Sequence, residues 1–436
     1  MNKRFHVAAG GVLLGDLVVP GDKSVSHRSI MLGSLADGTV EVSGFLEGDD
    51  ALATMAAFRA MGVAIEGPDQ GRVTIHGVGL RGLKQPRQVI DCGNSGTSMR
   101  LLSGLLSGQN FSLELTGDAS LRKRPMNRVA VPLREMGAEI ETAADGRPPL
   151  KIRGKASLRA IEYAMPVASA QVKSALLLAG LYANGKTCVI EPAPTRDHTE
   201  RMLRAFGYPV ETNGAKICVE GGGRLRAANI DVPADISSAA FFMVGASIAP
   251  GSDITLRNVG VNPTRTGVIH ILRAMGADIA LLNEREQGGE PVADIRVRHA
   301  QLKGIEIDPA HVPLAIDEFP VLFVAAANAD GITTLSGAEE LRVKESDRIQ
   351  VMADGLRKLG VDAEPLADGM RIRGGAYTGG RIDSAGDHRI AMAFAIAALC
   401  AKGDVEIDDC ANVATSFPGF VALAQQAGLR ISEAAV

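Results

Sequence analysis

The amino-acid sequence predicts an α/β protein of two lobes, each built from three copies of one helix-strand-helix-strand-strand unit. Three observations predict it. A chain of 436 residues is long enough for two or three domains, and 46% hydrophobic with 22% charged residues suits well-packed cores. Its 50 glycines are more than the roughly 7% share of an average protein. Those glycines fall in two series that recur along the chain at the ends of apolar stretches, and such internal repetition marks a stacked architecture.

The first series closes six apolar helices before a β-branched strand. Its members are Gly38 (ADGTVEV), Gly108 (SGQNFSL), Gly185 (NGKTCVI), Gly251 (PGSDITL), Gly331 (DGITTL) and Gly403 (KGDVEI). A left-handed helix stop is expected at each, because a residue without Cβ adopts positive φ at least cost. The second series follows the shorter helices Leu52–Met61, Val129–Met136, Thr199–Phe206, Val268–Met275, Met352–Leu359 and Phe420–Ala427. These run into Gly62, Gly137, Gly207, Gly276, Gly360 and Gly428 with near-identical tails: RAMGVAIE, REMGAEIE, RAFGYPVE, RAMGADIA, RKLGVDAE and QQAGLRIS. Alternating strand sequence around a polar turn comes next, as at Val63–Glu66 and Arg72–His76.

The sixth copy is short. Only eight residues follow Gly428, too few for a strand pair, whereas Phe5–Val19 reads as a spare pair that would complete the last unit. The expected lobes are therefore 21–232 for repeats one to three, and 1–20 with 233–436 for repeats four to six. The chain would cross between them near Pro20-Gly21 and Val232-Pro233.

Charge and cysteine usage exclude several classes of function. Lys and Arg number 46 against 50 Asp and Glu, a net charge of −4, which is not the footprint of a nucleic-acid binder and provides no polybasic membrane tail. The apolar runs Phe319–Ala329 and Ile390–Ala401 are 11 and 12 residues, short of the roughly 20 that span a bilayer. Lys3 and Arg4 ahead of Phe5–Gly15 imitate a signal peptide, but His6, Gly10-Gly11 and Asp16 argue against one. Five cysteines, odd in number and without a C-x-x-C pair, suit reduced, buried thiols in a cytoplasmic protein.

Counting back fourteen residues from each first-series glycine gives Ser24, Asn94, Gln171, Ser237, Asp317 and Arg389 at the starts of the first helices. All six are polar in otherwise apolar segments. Helix capping is the simpler reading for Ser237. Gln and Arg are not cap residues, and Asp22-Lys23, Ser26-His27-Arg28, Lys173 and Asp387-His388 lie beside these positions. Helix N-termini attract phosphates and carboxylates, so several of them facing one cleft with Lys23, Arg28 and Arg389 would bind a strongly anionic ligand. Arg122-Lys123-Arg124 and Lys344-Glu345-Ser346-Asp347-Arg348 add further cations, although charge runs are ordinarily solvated faces.

The stretch Gly180–Thr187 matches the pattern G-x-x-x-x-G-K-[ST]. That loop works only between a strand and a following helix, and here the order is reversed, so no nucleotide role is expected. There is no H-E-x-x-H, EF-hand loop, dinucleotide fingerprint or G-x-S-x-G, the eight histidines form no ligand pattern, and no metal is expected.

Nine motifs in order carry a resemblance to a known family: PGDKSVSHR (20–28), GNSGTSMR (93–100), LRKRPM (121–126), SAQVKSA (169–175), RDHTERM (196–202), DEFP (317–320), RVKESDRI (342–349), GDHRIAM (386–392) and TSFPGF (415–420). In these the chain resembles the 5-enolpyruvylshikimate-3-phosphate synthases among the enolpyruvyl transferases. The resemblance implies a two-lobed inside-out α/β barrel closing around its substrates. It also implies transfer of the enolpyruvyl group of phosphoenolpyruvate to the 5-hydroxyl of shikimate 3-phosphate, with no metal or organic cofactor. The enzyme would be a cytoplasmic monomer of the shikimate pathway to chorismate and the aromatic amino acids.

By the same resemblance, shikimate 3-phosphate would be held by Lys23, Ser24, Arg28, Ser169, Ala170, Gln171, Arg196, Asp317 and Lys344, with Arg196 on its phosphate. Phosphoenolpyruvate would meet Lys23, Asn94, Gly96, Arg124, Gln171, Arg348 and Arg389. Asp317, Glu345 and Lys23 would be catalytic: Asp317 takes the hydroxyl proton, Glu345 delivers one to the methylene carbon, and Lys23 serves the bridging oxygen or departing phosphate. Some relatives carry a Lys at the place of Thr415, and another branch a Ser at the place of Ala170; these differences bear on affinity for phosphoenolpyruvate and for the inhibitor glyphosate. Gly96 leaves room beside the pyruvyl group, as in glyphosate-sensitive members. The rival readings are an enolpyruvyl transferase acting on UDP-N-acetylglucosamine, whose family typically carries a loop cysteine, and a non-catalytic anion-binding scaffold. Retention of both Asp317 and Glu345 disfavours the scaffold, because carboxylates among cations weaken a pure anion binder.

Overall fold

The computed structural model describes residues 3–435; Met1, Asn2 and Val436, at the outer ends of the expected discontinuous lobe, lie outside them. The described chain forms two compact units, Gly21–Val232 and a second made of the chain up to Pro20 together with the chain from Pro233 onward. Its α-helices are α1 (Lys23–Leu35), α2 (Asp49–Ala60), α3 (Gly96–Ser107), α4 (Asn127–Glu135), α5 (Ala170–Gly180), α6 (His198–Ala205), α7 (Ile236–Ile248), α8 (Gly267–Ala274), α9 (Phe319–Ala327), α10 (Arg348–Lys358), α11 (His388–Ala397) and α12 (Phe420–Ala427).

Odd- and even-numbered helices differ as their sequences do. Every residue of α7, α9 and α11 is buried, and α1, α3 and α5 are buried along nearly their whole lengths. A helix apolar on all sides belongs in a core. Accordingly α3 packs against α1 and α5, while α7, α9 and α11 pack on one another, with the sheets outside them. The even-numbered helices bury one face only, as α6 and α10 show. One apolar cluster fills each unit.

Each repeat makes its own small sheet. The strand after an odd-numbered helix pairs antiparallel with the second strand of the hairpin that follows the next helix, giving Val40↔Ile75, Leu113↔Ile152 and Cys188↔Cys218 in one unit. The equivalent pairs in the other unit include Ile254↔Val297 and Leu335↔Met370. Its free edge accepts a parallel segment from the connection between repeats. Ile90–Asp91 pairs with Ser112–Thr116, Glu162–Ala164 with Lys186–Ile190, and Leu225–Arg226 and Ile230–Asp231 return to Ala36–Ser43. The third connection thus closes a ring of three repeats.

In the other unit the N-terminal segment makes both closures. Lys3–Gly11 lies between Val405–Asp408 and Leu429–Ala435, taking the place of the sixth repeat's missing strand. Leu14–Leu17 does not extend that hairpin, as Phe5–Val19 read as one strand pair had implied. It runs parallel to Asp253–Gly260 of the fourth repeat, the edge that connections occupy elsewhere. The residues after Gly428 already supply one strand, so only one was missing.

The near-copied tails of the even-numbered helices have a shared cause. All six second-series glycines are left-handed, with φ of 88°, 89°, 73°, 96°, 87° and 114° from Gly62 to Gly428. The residue three before each reaches over the turn to a carbonyl six residues on. Arg59 bonds Ile65 O at 2.9 Å, Arg134 Ile140 O at 2.7 Å, Arg204 Val210 O at 3.0 Å, Arg273 Ile279 O at 3.1 Å, Arg357 Ala363 O at 2.6 Å and Gln425 Ile431 O at 2.7 Å. The conformation that turns the chain and the side chain that clamps it recur together.

The first glycine series behaves less uniformly than expected. Gly38 lies inside the strand Ala36–Ser43, and Gly185 stands between two strands beyond the end of α5. Gly108 has φ −89° and no left-handed turn; a Cβ there would lie 2.2 Å from Cγ of Tyr182, so packing demands the glycine. Gly403 is likewise outside the positive-φ set. Ser237 is not the cap of α7, which is Asp235, accepting from Ser237 N at 2.8 Å. The expectation of five reduced thiols is also corrected: Cys188 and Cys218 are disulfide-bonded, with Cα atoms 4.1 Å apart. The antiparallel register of Lys186–Ile190 with Lys216–Glu220 sets them directly opposite, which a sequence separation of 30 conceals. Cys92 and Cys410 are buried free thiols, and Cys400 is partly buried. No helix among the described residues is long and apolar enough to cross a membrane.

Candidate active site

Apart from Arg124 and Arg196, the residues singled out in Gly21–Val232 lie at or near the starts of its three buried helices. Asp22 caps α1, accepting from Val25 N at 2.9 Å, so Lys23 and Ser24 open the helix. The chain enters through Gly21, where a Cβ would lie 1.9 Å from Gly44 O, so only glycine fits. Lys23 Nζ is 3.2 Å from Asp50 Oδ2 at the start of α2. Arg28 turns inward: Nη1 donates to Ser24 O at 3.0 Å, Nε to Thr199 Oγ1 at 2.7 Å and Nη2 to Ser174 Oγ at 2.9 Å.

Around α3 and α5 a second group forms. Ser95 caps α3 through Ser98 N, leaving Gly96 as its first residue. Asn94 accepts from Arg124 Nη2 at 2.9 Å and donates to Asp118 Oδ2 at 2.7 Å. Ser169 caps α5, Ala170 is its first residue, and Gln171 donates to Thr97 Oγ1 at 2.9 Å while its Oε1 accepts from Arg100. Buried His27 links α1 to α3: its Nδ1 lies 2.8 Å from Thr54 Oγ1, which is 2.6 Å from Ser98 Oγ. Burial, then the charges of Lys23 and Arg28, push its pKa well below the usual value, so the link is a neutral imidazole. Arg196 lies on the segment leading into α6.

In the second unit Asp317, Lys344, Glu345, Arg348 and Arg389 form one cluster. Asp317 Oδ1 is 3.4 Å from Arg348 Nη1 and 3.5 Å from Lys344 Nζ, and its Oδ2 is 4.0 Å from Arg389 Nη2. Arg348 Nη2 donates to Glu345 Oε2 at 2.6 Å and Nε to Asp387 Oδ2 at 2.8 Å. Burial pulls the Arg348 guanidinium down, but Asp387, Glu345 and Asp317 outweigh it and hold its pKa above the usual value. Asp387 also caps α11, accepting from Arg389 N at 3.0 Å, which fixes the backbone that carries Arg389.

Several participants were not identified from sequence. Arg100 stands four residues after Gly96 and therefore on the same helix face, a spacing signal that was available. Asp50 and Glu318 had weaker signals, an acidic helix start and a place beside Asp317. Glu318 is buried; its Oε1 accepts from Ser237 Oγ and lies 4.0 Å from both Arg265 Nη2 and Arg389 Nη1. Arg265 had none, since it belongs to none of the nine motifs. Thr415 spends its hydroxyl locally, donating to Asn412 O at 2.7 Å.

Comparison with known proteins agrees with this arrangement of motifs. The sequence profile of EPSP synthase (3-phosphoshikimate 1-carboxyvinyltransferase) matches residues 7–423. The 3-phosphoshikimate 1-carboxyvinyltransferases of Methylococcus capsulatus and Alkalilimnicola ehrlichii are each 69% identical, over 98% of this chain and 98% and 96% of theirs. A solved EPSP synthase from Acinetobacter baumannii superposes with a TM-score of 0.90 at 59% identity, covering 99% of this chain and 100% of that one. The buried helices, their capped polar starts and the order of the motifs therefore have one explanation: the chain belongs to the EPSP synthase family.

Proposed function

We propose that this chain transfers the enolpyruvyl group of phosphoenolpyruvate to the 5-hydroxyl of shikimate 3-phosphate, releasing phosphate, as a cytoplasmic monomer of the shikimate pathway. Family membership supports the reaction. The single observation that carries the chemistry is Asp317: one carboxylate within 4.0 Å of Lys344, Arg348 and Arg389, with a second, Glu345, on the same Arg348. A cation cluster meant only to hold anions gains nothing from these two acids.

In this reading Asp317 accepts the proton of the 5-hydroxyl as its oxygen bonds to the central carbon of phosphoenolpyruvate, and Glu345 protonates the methylene carbon. The resulting tetrahedral intermediate returns a proton from its methyl group and expels phosphate, with Lys23 at the departing oxygen. Lys23, Ser24, Arg28, Ser169, Ala170, Gln171, Arg196, Asp317 and Lys344 serve shikimate 3-phosphate. Lys23, Asn94, Gly96, Arg124, Gln171, Arg348 and Arg389 serve phosphoenolpyruvate. Arginine suits the latter set because its planar fork pairs with carboxylate and phosphate through two hydrogen bonds.

Phosphate release from the two substrates tests the proposal. Release is expected with shikimate 3-phosphate as acceptor and not with UDP-N-acetylglucosamine. No release with shikimate 3-phosphate, beside an active control enzyme, overturns the reading. Gly96 gives a sharper check. A methyl there would lie 3.1 Å from Arg124 Nη1 and 3.2 Å from Arg100 Nη1, tighter than ordinary contact. Because Gly96 is not at positive φ, Gly96→Ala should fold normally while displacing both guanidinium groups. Loss of a good charged hydrogen bond predicts a KM for phosphoenolpyruvate raised about tenfold. An unchanged KM would remove Gly96 from that pocket.

A further inference from the structure

The reaction gives no task to the buried cation Lys173. Lys173 on α5 is 1% exposed, yet its Nζ lies 2.7 Å from Glu200 Oε1 and 3.0 Å from Glu191 Oε2, and it donates to Thr195 O at 3.4 Å. Thr195 Oγ1 in turn donates to Glu191 Oε2 at 2.7 Å. These contacts are not scattered. Glu191 opens the segment between the strand Lys186–Ile190 and α6, Thr195 stands near its end, and Glu200 lies in the first turn of α6. One side chain therefore ties both ends of the segment and the helix after it. Pro192 and Pro194 within it have no backbone N–H with which to bond otherwise.

Arg196 follows Thr195 directly. On the same two helices, the neighbours of Lys173 and Glu200, namely Ser174 and Thr199, take the Arg28 guanidinium. A buried ion cluster contributes little net stability, because desolvation offsets its attraction. Glu200 Oε2 is moreover buried without a hydrogen bond, a poor design for stability alone. What the cluster does supply is a fixed path for the residue that follows Thr195.

We propose that Lys173, with Glu191 and Glu200, is a set of positioning residues that holds Arg196 in place for the phosphate of the acceptor substrate. This rests on the assignment of shikimate 3-phosphate above, and failure of that reading is visible separately as the absence of phosphate release by the unaltered enzyme.

The test is steady-state kinetics of the full chain carrying Lys173→Met, Arg196→Ala and both, with circular dichroism to establish folding. Each single variant should raise the KM for shikimate 3-phosphate about tenfold or more, as expected for a lost charged hydrogen bond. The KM for phosphoenolpyruvate and kcat should change far less. The double variant should be no worse than the more damaged single one, because Lys173 acts through Arg196. Multiplying effects, an equal loss across both substrates, or an Arg196→Ala variant with normal KM would each overturn the proposal. If Lys173→Met fails to fold, Glu200→Leu serves in its place, since it leaves Lys173 paired with Glu191. Glu200→Gln, which keeps an acceptor for Lys173, should restore the KM; equal damage from Gln and Leu would also overturn it.

Discussion

Asp317→Ala is expected to lower kcat by about 10²- to 10⁴-fold, the usual contribution of a positioned general base. The carboxylate lies among Lys344, Arg348 and Arg389 without being the principal partner of the most buried of them, because Arg348 keeps Asp387 and Glu345. The fold should therefore survive, and thermal melts of variant and parent should nearly coincide. Asp317→Asn is the stricter version: shape is retained and only the proton-accepting charge is lost. A rapid-quench assay that finds near-normal turnover in either variant would take Asp317 out of the chemistry.

Arg348→Met should act on stability as well as activity. Arg348 is fully buried and bonded to Asp387, itself fully buried, and to Glu345, with Asp317 close by. Removing the cation strands these carboxylates, a change that typically destabilises by about 3–5 kcal/mol. The urea midpoint for the unit that contains Arg348 should fall accordingly, and turnover should be lost. Arg348→Lys should recover part of the stability, because charge is restored, but little of the activity, because one ammonium cannot reproduce the fork that engages Glu345 and Asp387 together. An unchanged urea midpoint in Arg348→Met would show that the cluster bears no structural load.

The fold was legible where a local rule acts on neighbouring residues. The second glycine series could be read because each left-handed stop and its Arg or Gln clamp lie within a few residues of each other. Gly108 and Gly403 could not, since their requirement comes from close approach by Tyr182 and by Thr378 O, distant in the chain. The same divide separates the side chains of the candidate site. Asp317, Lys344, Glu345, Arg348 and Arg389 announce themselves in motifs. Arg265 reaches its cluster only through folding, bonding Asp235 at 3.2 Å. The Cys188–Cys218 pair is a matter of register between two strands separated by a helix and a further strand, which cannot be read from cysteine spacing alone.

The ring of three repeats closes differently in the two units, and this has a consequence for synthesis. The unit Gly21–Val232 contains all its closing strands once residue 231 has been made. The other needs Lys3–Gly11, the first described strand, whose partners Val405–Asp408 and Leu429–Ala435 are the last. At about 5–20 residues per second the N-terminal strand waits tens of seconds for them. Throughout that interval it emerges from the ribosome as an unpaired strand bearing Phe5 and Val7, an open edge of the kind that chaperones shield and aggregates recruit. The nascent chain thus completes its inner unit first and leaves its own beginning to be folded at the end.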